Sequence, residues 1–260
     1  MNYRLIAAGA THVGQKRDEN EDAYHIDVEH GLFVAADGMG GRQRGAAASA
    51  AAVDTMTYIP SFPTFHPDGV TEGFQVANQE IRALANGASR APATTATVLW
   101  INTQRMGEDE GTNGECTAII GHIGDSRAYQ VGHGVAHQLT TDHSHVQSLV
   151  LRSSITATEA KTHRYRNVVL RGLLGNDHYW PDILCPYLES RNTFLLCSDG
   201  LTDEVDLDSK VARTILAKLE DAKTNEELQE ACDALVDLAN QNGGSDNITV
   251  ILVKLIWVAE

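Results

Sequence analysis

Leu32-Phe33-Val34-Ala35-Ala36 runs straight into Asp37-Gly38-Met39-Gly40-Gly41, and the pattern returns at Phe194-Leu195-Leu196-Cys197, which reaches Asp199-Gly200 one serine later. A short apolar run bounded by acid and glycine reads as a buried strand that ends where the chain turns. The association recurs twice. Ile119-Ile120-Gly121-His122-Ile123-Gly124 leads to Asp125, and Asp246, in Gly243-Gly244-Ser245-Asp246-Asn247, stands immediately before the last apolar run. Carboxylates gathered at sheet edges repel one another unless a hard cation with oxygen ligands neutralises them. One Asp-Gly is an ordinary turn; four acids in this setting point to a divalent metal centre, with backbone carbonyls at the glycines as further ligands.

Working outward, apolar runs at residues 3–11, 97–101, 116–123, 128–131 and 248–256 add further strands. Phe74, Ala77, Ile81 and Leu84 repeat at helical spacing, as do Leu228, Cys232, Leu235 and Leu238, so each set predicts an amphipathic helix on a sheet. Thr224 and Glu227 fit a capping box for the second, and Gly243-Gly244 fits its stop. The alanine-rich stretch 45–53 predicts a helix with a small-residue face. Pro60, Pro63 and Pro67 mark 58–69 as a connection between helices, and 102–114 reads as a long hairpin turn. Residues 141–181 are polar and irregular, with Arg152, Lys161, Arg164, Arg166 and Arg171, as expected of a basic, substrate-facing flap. Strands at the ends and middle, with helices in two blocks, predict an α+β fold with mostly antiparallel sheets in one domain, 1–260.

The 260 residues carry 35 Asp plus Glu against 20 Lys plus Arg, a formal charge of -15. Such a field disfavours nucleic acid and anionic membrane surfaces as partners. The apolar runs fall short of the roughly 20 residues of a membrane helix. The N-terminus lacks a signal-peptide pattern. Cys116, Cys185, Cys197 and Cys232 are widely spaced without a C-x-x-C pair, which predicts reduced structural thiols and a cytoplasmic protein.

Arg17-Asp18-Glu19-Asn20-Glu21-Asp22 sets a cation before a dense acidic run. An arginine grips phosphate bidentately while nearby acids reach a metal that touches the same group. Gly9–Lys16 misses the phosphate-cradling P-loop pattern, since Lys16 is displaced by one and no Ser or Thr follows it. No G-x-S-x-G elbow and no H-E-x-x-H spacing occurs. His122, inside an apolar strand, reads as a satisfied core histidine.

The ordered set Arg17…Asn20-Glu21-Asp22, Val34–Gly41, Thr94-Thr95, Gly124-Asp125-Ser126-Arg127-Ala128-Tyr129, Leu139-Thr140-Thr141-Asp142-His143-Ser144, Leu196–Asp203 and Gly244–Val250 resembles the bacterial-type metal-dependent Ser/Thr phosphatases of the protein phosphatase 2C family. The resemblance spans essentially the whole chain. It implies a β-sandwich of two antiparallel sheets flanked by α-helices on both sides, an α-β-β-α arrangement, with a binuclear Mn2+ or Mg2+ site at one end. Carried over, Asp37 bridges the two ions, and Asp199 and Asp246 hold the first. The Gly38 carbonyl with Glu21 or Asp22 serves the second, and Asp125 and Asp203, with Asp199, hold a weaker third. Arg17 binds the substrate phosphate, and residues of about 144–180 form the mobile flap.

The resemblance thus implies a monomeric phosphoserine/phosphothreonine protein phosphatase that opposes a cognate kinase. A non-catalytic phosphoprotein-binding regulator is the alternative. Met39 stands where eukaryotic relatives have histidine, and Arg42 where bacterial members usually do.

Overall fold

A computed structural model describes residues 2–40, 43–85, 92–104, 116–186 and 193–258. One antiparallel sheet takes β1 (Asn2–His12), β7 (Arg127–Gly132), β8 (Val135–Gln138), β10 (Thr193–Cys197) and β11 (Ile248–Val258) in the order β1-β11-β10-β7-β8. The second takes β2 (Asp22–Asp27), β3 (Leu32–Met39), β5 (Ala96–Ile101), β6 (Ala118–Ile123) and β9 (Asp182–Leu184) in the order β2-β3-β5-β6-β9. The short β4 (Ala93–Thr94) pairs with the end of β3.

The continuous apolar runs are continuous because both faces of each strand are covered. In β10, Phe194 and Leu196 enter the core between the sheets, while Leu195 and Cys197 enter the core beneath helices. In β11, Ile251, Val253 and Leu255 face inward and Val250 and Leu252 face the helices. The covering layer there is α5 (Asp199–Thr202), α6 (Lys210–Ala217) and α7 (Asn225–Asn242). On the other side α1 (Gln43–Met56) and α2 (Pro67–Leu84) cover Leu32, Val34 and Ala36 of β3. The architecture is the expected α-β-β-α sandwich, and each fully buried Leu, Ile or Phe adds roughly 1.5–3 kcal/mol of hydrophobic stabilisation.

Local signals act as expected. Thr224 and Glu227 form both halves of the capping box, and Gly243 ends α7 at φ +152°. Pro67 occupies the first turn of α2, where its missing N–H costs nothing. His122 is fully buried, with its ring nitrogens against Thr97 Oγ1 at 3.1 Å and the Thr141 carbonyl at 3.2 Å. The flap contains two short helices, α3 (His145–Leu151) and α4 (Ala157–Lys161). The hairpin turn expected at 102–114 lies outside the described residues beyond Gln104, and so does Arg42.

One expectation is corrected. Cys116 and Cys185 form a disulfide, and just Cys197 and Cys232 are free thiols, both buried. Sequence spacing does not show that β6 and β9 are neighbours; their antiparallel pairing brings Cys116, two residues ahead of β6, and Cys185, the residue after β9, to a Cα separation of 5.6 Å.

Candidate metal centre

Phe33 and Ala35 project between the sheets, and Asp37, two residues on, follows the same parity at the end of the sandwich. Asp22, the first residue of β2, stands directly opposite Asp37 in the ladder. Asp199 opens α5 just beyond β10, Asp246 precedes β11, and Asp125 occupies the β6–β7 turn. All are thus delivered to one end of the molecule by strand termini. Asp203, at the C-terminal end of α5, is exposed at the rim.

The cluster is electrostatically frustrated. Desolvation, followed by the charges of Asp199, Asp22, Asp125 and Asp246, raises the Asp37 carboxyl well above its ordinary value. Asp199 is raised by desolvation and by Asp125, Asp203, Asp246 and Asp22. Asp22 is raised to about 6, chiefly by desolvation and against hydrogen bonds from Thr249 and Ser198. Asp125 also reaches about 6, by desolvation and then the Asp142 charge. Glu21 is raised by desolvation, which outweighs the Arg17 charge.

Three carboxylate oxygens, Glu21 Oε1, Asp22 Oδ1 and Asp199 Oδ1, are buried without a hydrogen-bond partner. Buried acceptors are ordinarily satisfied; hard divalent cations answer both the orphaned oxygens and the mutual repulsion. Among the described residues no three His, Cys, Asp or Glu side chains close on a single point. The donor set therefore suits ions that also take backbone carbonyls and keep several waters, as Mg2+ does.

Backbone packing brings a carbonyl into reach. A side chain on Gly38 would meet the Gly45 carbonyl at 2.2 Å and the Glu21 carbonyl at 2.5 Å, so only glycine allows this approach. The Asp37 N–H donates to Thr95 Oγ1 at 3.0 Å, and its carbonyl accepts from Thr94 Oγ1 at 2.8 Å. Those contacts give Thr94 and Thr95 their place in the motif series.

Two supporting residues escape sequence reasoning. Asn247 accepts from the Glu21 N–H at 2.8 Å and donates to the Val13 and Glu19 carbonyls at 2.9 Å each, tying the Arg17–Asp22 loop to the Asp246 loop. Ser198 Oγ donates to Asp22 Oδ2 at 2.8 Å and accepts from the Thr249 N–H at 2.9 Å. A polar residue flanking an apolar strand inside a glycine-marked motif is the signal for both. Arg17 sits at the rim, its Nη2 2.6 Å from Asp246 Oδ2 and its side chain 46% exposed.

Beside the centre lies a cleft of about 510 Å³. Asp125, Asp199 and Asp203 line one wall, and Val146, Lys161 and Arg166 of the flap line another. Two of the basic residues of 144–180, Lys161 and Arg166, thus share this cleft with Asp125, Asp199 and Asp203.

The profile for protein phosphatase 2C matches residues 8–237. Protein phosphatase PhpP of Streptococcus pneumoniae is 34% identical over 259 residues, covering 94% of this chain and 95% of PhpP. The serine/threonine protein phosphatase PstP of Mycobacterium tuberculosis is 30% identical over 249 residues, covering 94% of this chain and 43% of PstP. The crystal structure of the M. tuberculosis phosphatase superposes with a TM-score of 0.82 at 28% identity, over 98% of this chain and 100% of that one. The PstP catalytic domain in complex with two manganese ions gives 0.80 at 27% identity, again over 98% and 100%. The chain therefore belongs to the protein phosphatase 2C family. In catalytic class it is a metal-dependent serine/threonine phosphoprotein phosphatase, and the regulator alternative is set aside. Among the described residues no helix is long and apolar enough to cross a membrane.

Proposed function

We propose that residues 1–260 form a single catalytic domain that hydrolyses phosphoserine and phosphothreonine at the Asp37 end of the sandwich. The observation that carries this reading is the set of converging strand-end carboxylates with orphaned oxygens and raised pKa values. Asp37 would lie between two ions, Mn2+ or Mg2+, with Asp199 and Asp246 on the first. The Gly38 carbonyl and Asp22 would serve the second, Asp22 being favoured over Glu21 because it faces Asp37 across the ladder. Asp125 and Asp203, with Asp199, would hold a weaker third ion.

Bound divalent ions supply a deprotonated water at neutral pH and neutralise the charge that develops on the phosphoryl group. The protein's share is placement. Arg17, bound to Asp246 through one nitrogen, keeps a planar fork at the rim that grips two phosphoryl oxygens as in-line attack proceeds. Lys161 and Arg166 across the cleft give the acidic chain a local welcome for the anionic substrate. Met39 carries no proton to give, so the leaving alkoxide takes its proton from solvent water.

The substrates are phosphorylated proteins, and a cognate serine/threonine kinase supplies them. A monomer completes the reading; the cytoplasmic placement loses the support of four reduced cysteines to the Cys116–Cys185 bond. The deciding experiment is hydrolysis of a phosphothreonine peptide with Mn2+, with Mg2+ and with a chelator, alongside Asp37→Ala. Turnover that needs metal and disappears in the variant is expected; turnover in chelator or in Asp37→Ala sinks the assignment.

A further inference from the structure

The turn that carries Asp125 is gripped from below by a histidine that the proposed chemistry does not use. The His143 N–H donates to the Gly124 carbonyl at 2.7 Å, and the Gly124 N–H donates back to His143 Nδ1 at 3.1 Å. An accepting Nδ1 places the ring hydrogen on Nε2, which lies 3.1 Å from Asp182 Oδ2. Asp182 Oδ1 in turn accepts from Arg171 Nη1 at 3.1 Å, and the same nitrogen donates to the Trp180 carbonyl at 3.0 Å. The His143 carbonyl accepts from the Leu170 N–H at 2.7 Å.

Both ends of the flap therefore meet at this one residue. Ser144 begins the flap immediately after His143, while Leu170 and Arg171 return to it near the other end. Asp182 lies on β9, in register opposite His122 of β6, and Cys185 on the same segment is bonded covalently to Cys116. The His122 ring packs against the His143 ring at 4.7 Å between centroids. Burial lowers the pKa of both, His122 to about 4. Two neutral imidazoles thus form the floor under the Gly124–Asp125 turn. The turn has little slack, since Gly124 adopts φ +112° and a side chain there would meet Thr95 at 2.5 Å.

We propose that His143 and Asp182 are positioning residues, a clasp that holds the Asp125 turn and the flap in register so that the third-ion edge and the phosphoprotein-binding cleft form together. The inference rests on the phosphatase reading for its kinetic consequence. Groups that orient the support of a metal ligand typically change metal affinity 10- to 100-fold when removed. Here the effect falls on the weaker ion and on the peptide, because Asp37, Asp199 and Asp246 are placed by the ends of β3, β10 and β11, away from the His143–Asp182 contact.

The test uses Asp182→Ala, whose partly exposed site tolerates truncation, and His143→Asn, which keeps an acceptor near the Nδ1 position and loses reach to Asp182. Amide exchange of the metal-free protein is followed over 122–127 and 166–173, Mn2+ binding by calorimetry, and kinetics on both an aryl phosphate and a phosphothreonine peptide. Faster exchange at both segments is expected in Asp182→Ala, with the weaker Mn2+ step and the peptide KM worsened about tenfold. The tight Mn2+ step and kcat on the aryl phosphate at saturating Mn2+ stay unchanged. His143→Asn should loosen 166–173 more than 122–127. Unchanged exchange overturns the clasp, and faster exchange with an unmoved peptide KM and Mn2+ isotherm overturns its positioning role. A wild-type protein that neither binds Mn2+ nor turns over overturns the phosphatase reading instead, while the exchange measurement still judges the clasp.

Discussion

Asp22 and Asp37 face each other across the antiparallel β2–β3 ladder, two carboxylates in a position where like charges destabilise a sheet. Both are held above their ordinary pKa by desolvation and by neighbouring acids. The pairing is a stability cost of the fold, and in the proposed metal centre bound cations would turn that cost into affinity.

Replacing Asp37 with Asn should therefore separate stability from function. The metal-free variant is expected to melt a few degrees higher than wild type, for a gain of about 1–2 kcal/mol from lost repulsion. Its phosphatase activity should fall at least a thousandfold, on the order of a lost essential catalytic group. Thermal unfolding in chelator, next to peptide hydrolysis with Mn2+, checks both. A lower melting temperature would contradict the repulsion.

The pH response of metal binding follows with a definite sign. The folded-state pKa values of Asp22 and Asp125, about 6, lie above the unfolded value of 3.8. Their favourable contribution to the metal-free fold is present below the unfolded value and is lost as pH rises through about 6. Cations bind the deprotonated carboxylates, so protons compete with Mn2+ below about pH 6. The Mn2+-induced rise in melting temperature should be large at about pH 7.5 and shrink steadily below about pH 6. A series of melting curves with and without Mn2+ reads this directly, and a rise independent of pH would place binding elsewhere.

Asn247 is expected to matter for both folding and activity. Truncation to Ala strands the buried Glu21 N–H and removes the donor to the part-buried carbonyls of Val13 and Glu19, at a combined cost of about 2 kcal/mol. Because those partners flank Arg17, the peptide KM should rise as well. Urea denaturation with peptide kinetics settles the point, and a loss of stability below about 1 kcal/mol would mean that solvent replaces these bonds.

Seven of the strands and the helices α1, α2 and α7 were legible because a layer with two covered faces imposes continuous apolar runs, and helix faces impose their own period; α5 and α6, four and eight residues long, were not read from the sequence. The strand-end acids were legible for the same reason: Asp37 and Asp199 punctuate runs that nothing else polar interrupts. β2 was hidden, since Asp22–Asp27 is half-buried along its length and mixes acid, aromatic and histidine. Its pairing, which places Asp22 against Asp37, was hidden with it. β9 has three residues and takes its meaning from its neighbour β6. The Cys116–Cys185 bond and the His143–Asp182 contact depend on that pairing, and a single sequence carries no local trace of such long-range neighbours.

The cysteines supply the last prediction. Cys185 lies at an exposed position, whereas Cys197 and Cys232 are buried, with thiol pKa values pushed up to about 12 by desolvation. The native oxidised protein should therefore show no rapidly reacting thiol, and denaturant alone should release two of the four cysteines. Reductant with denaturant should release all four. In the loop-entropy treatment, a cross-link spanning 69 residues of sequence stabilises the fold by up to about 4 kcal/mol. Cys116→Ser should lower stability by an amount within that bound, with the core thiols still silent. Four thiols released by denaturant without reductant would show the pair to be reduced, in keeping with the reducing cytoplasm that the spacing of the cysteines first suggested.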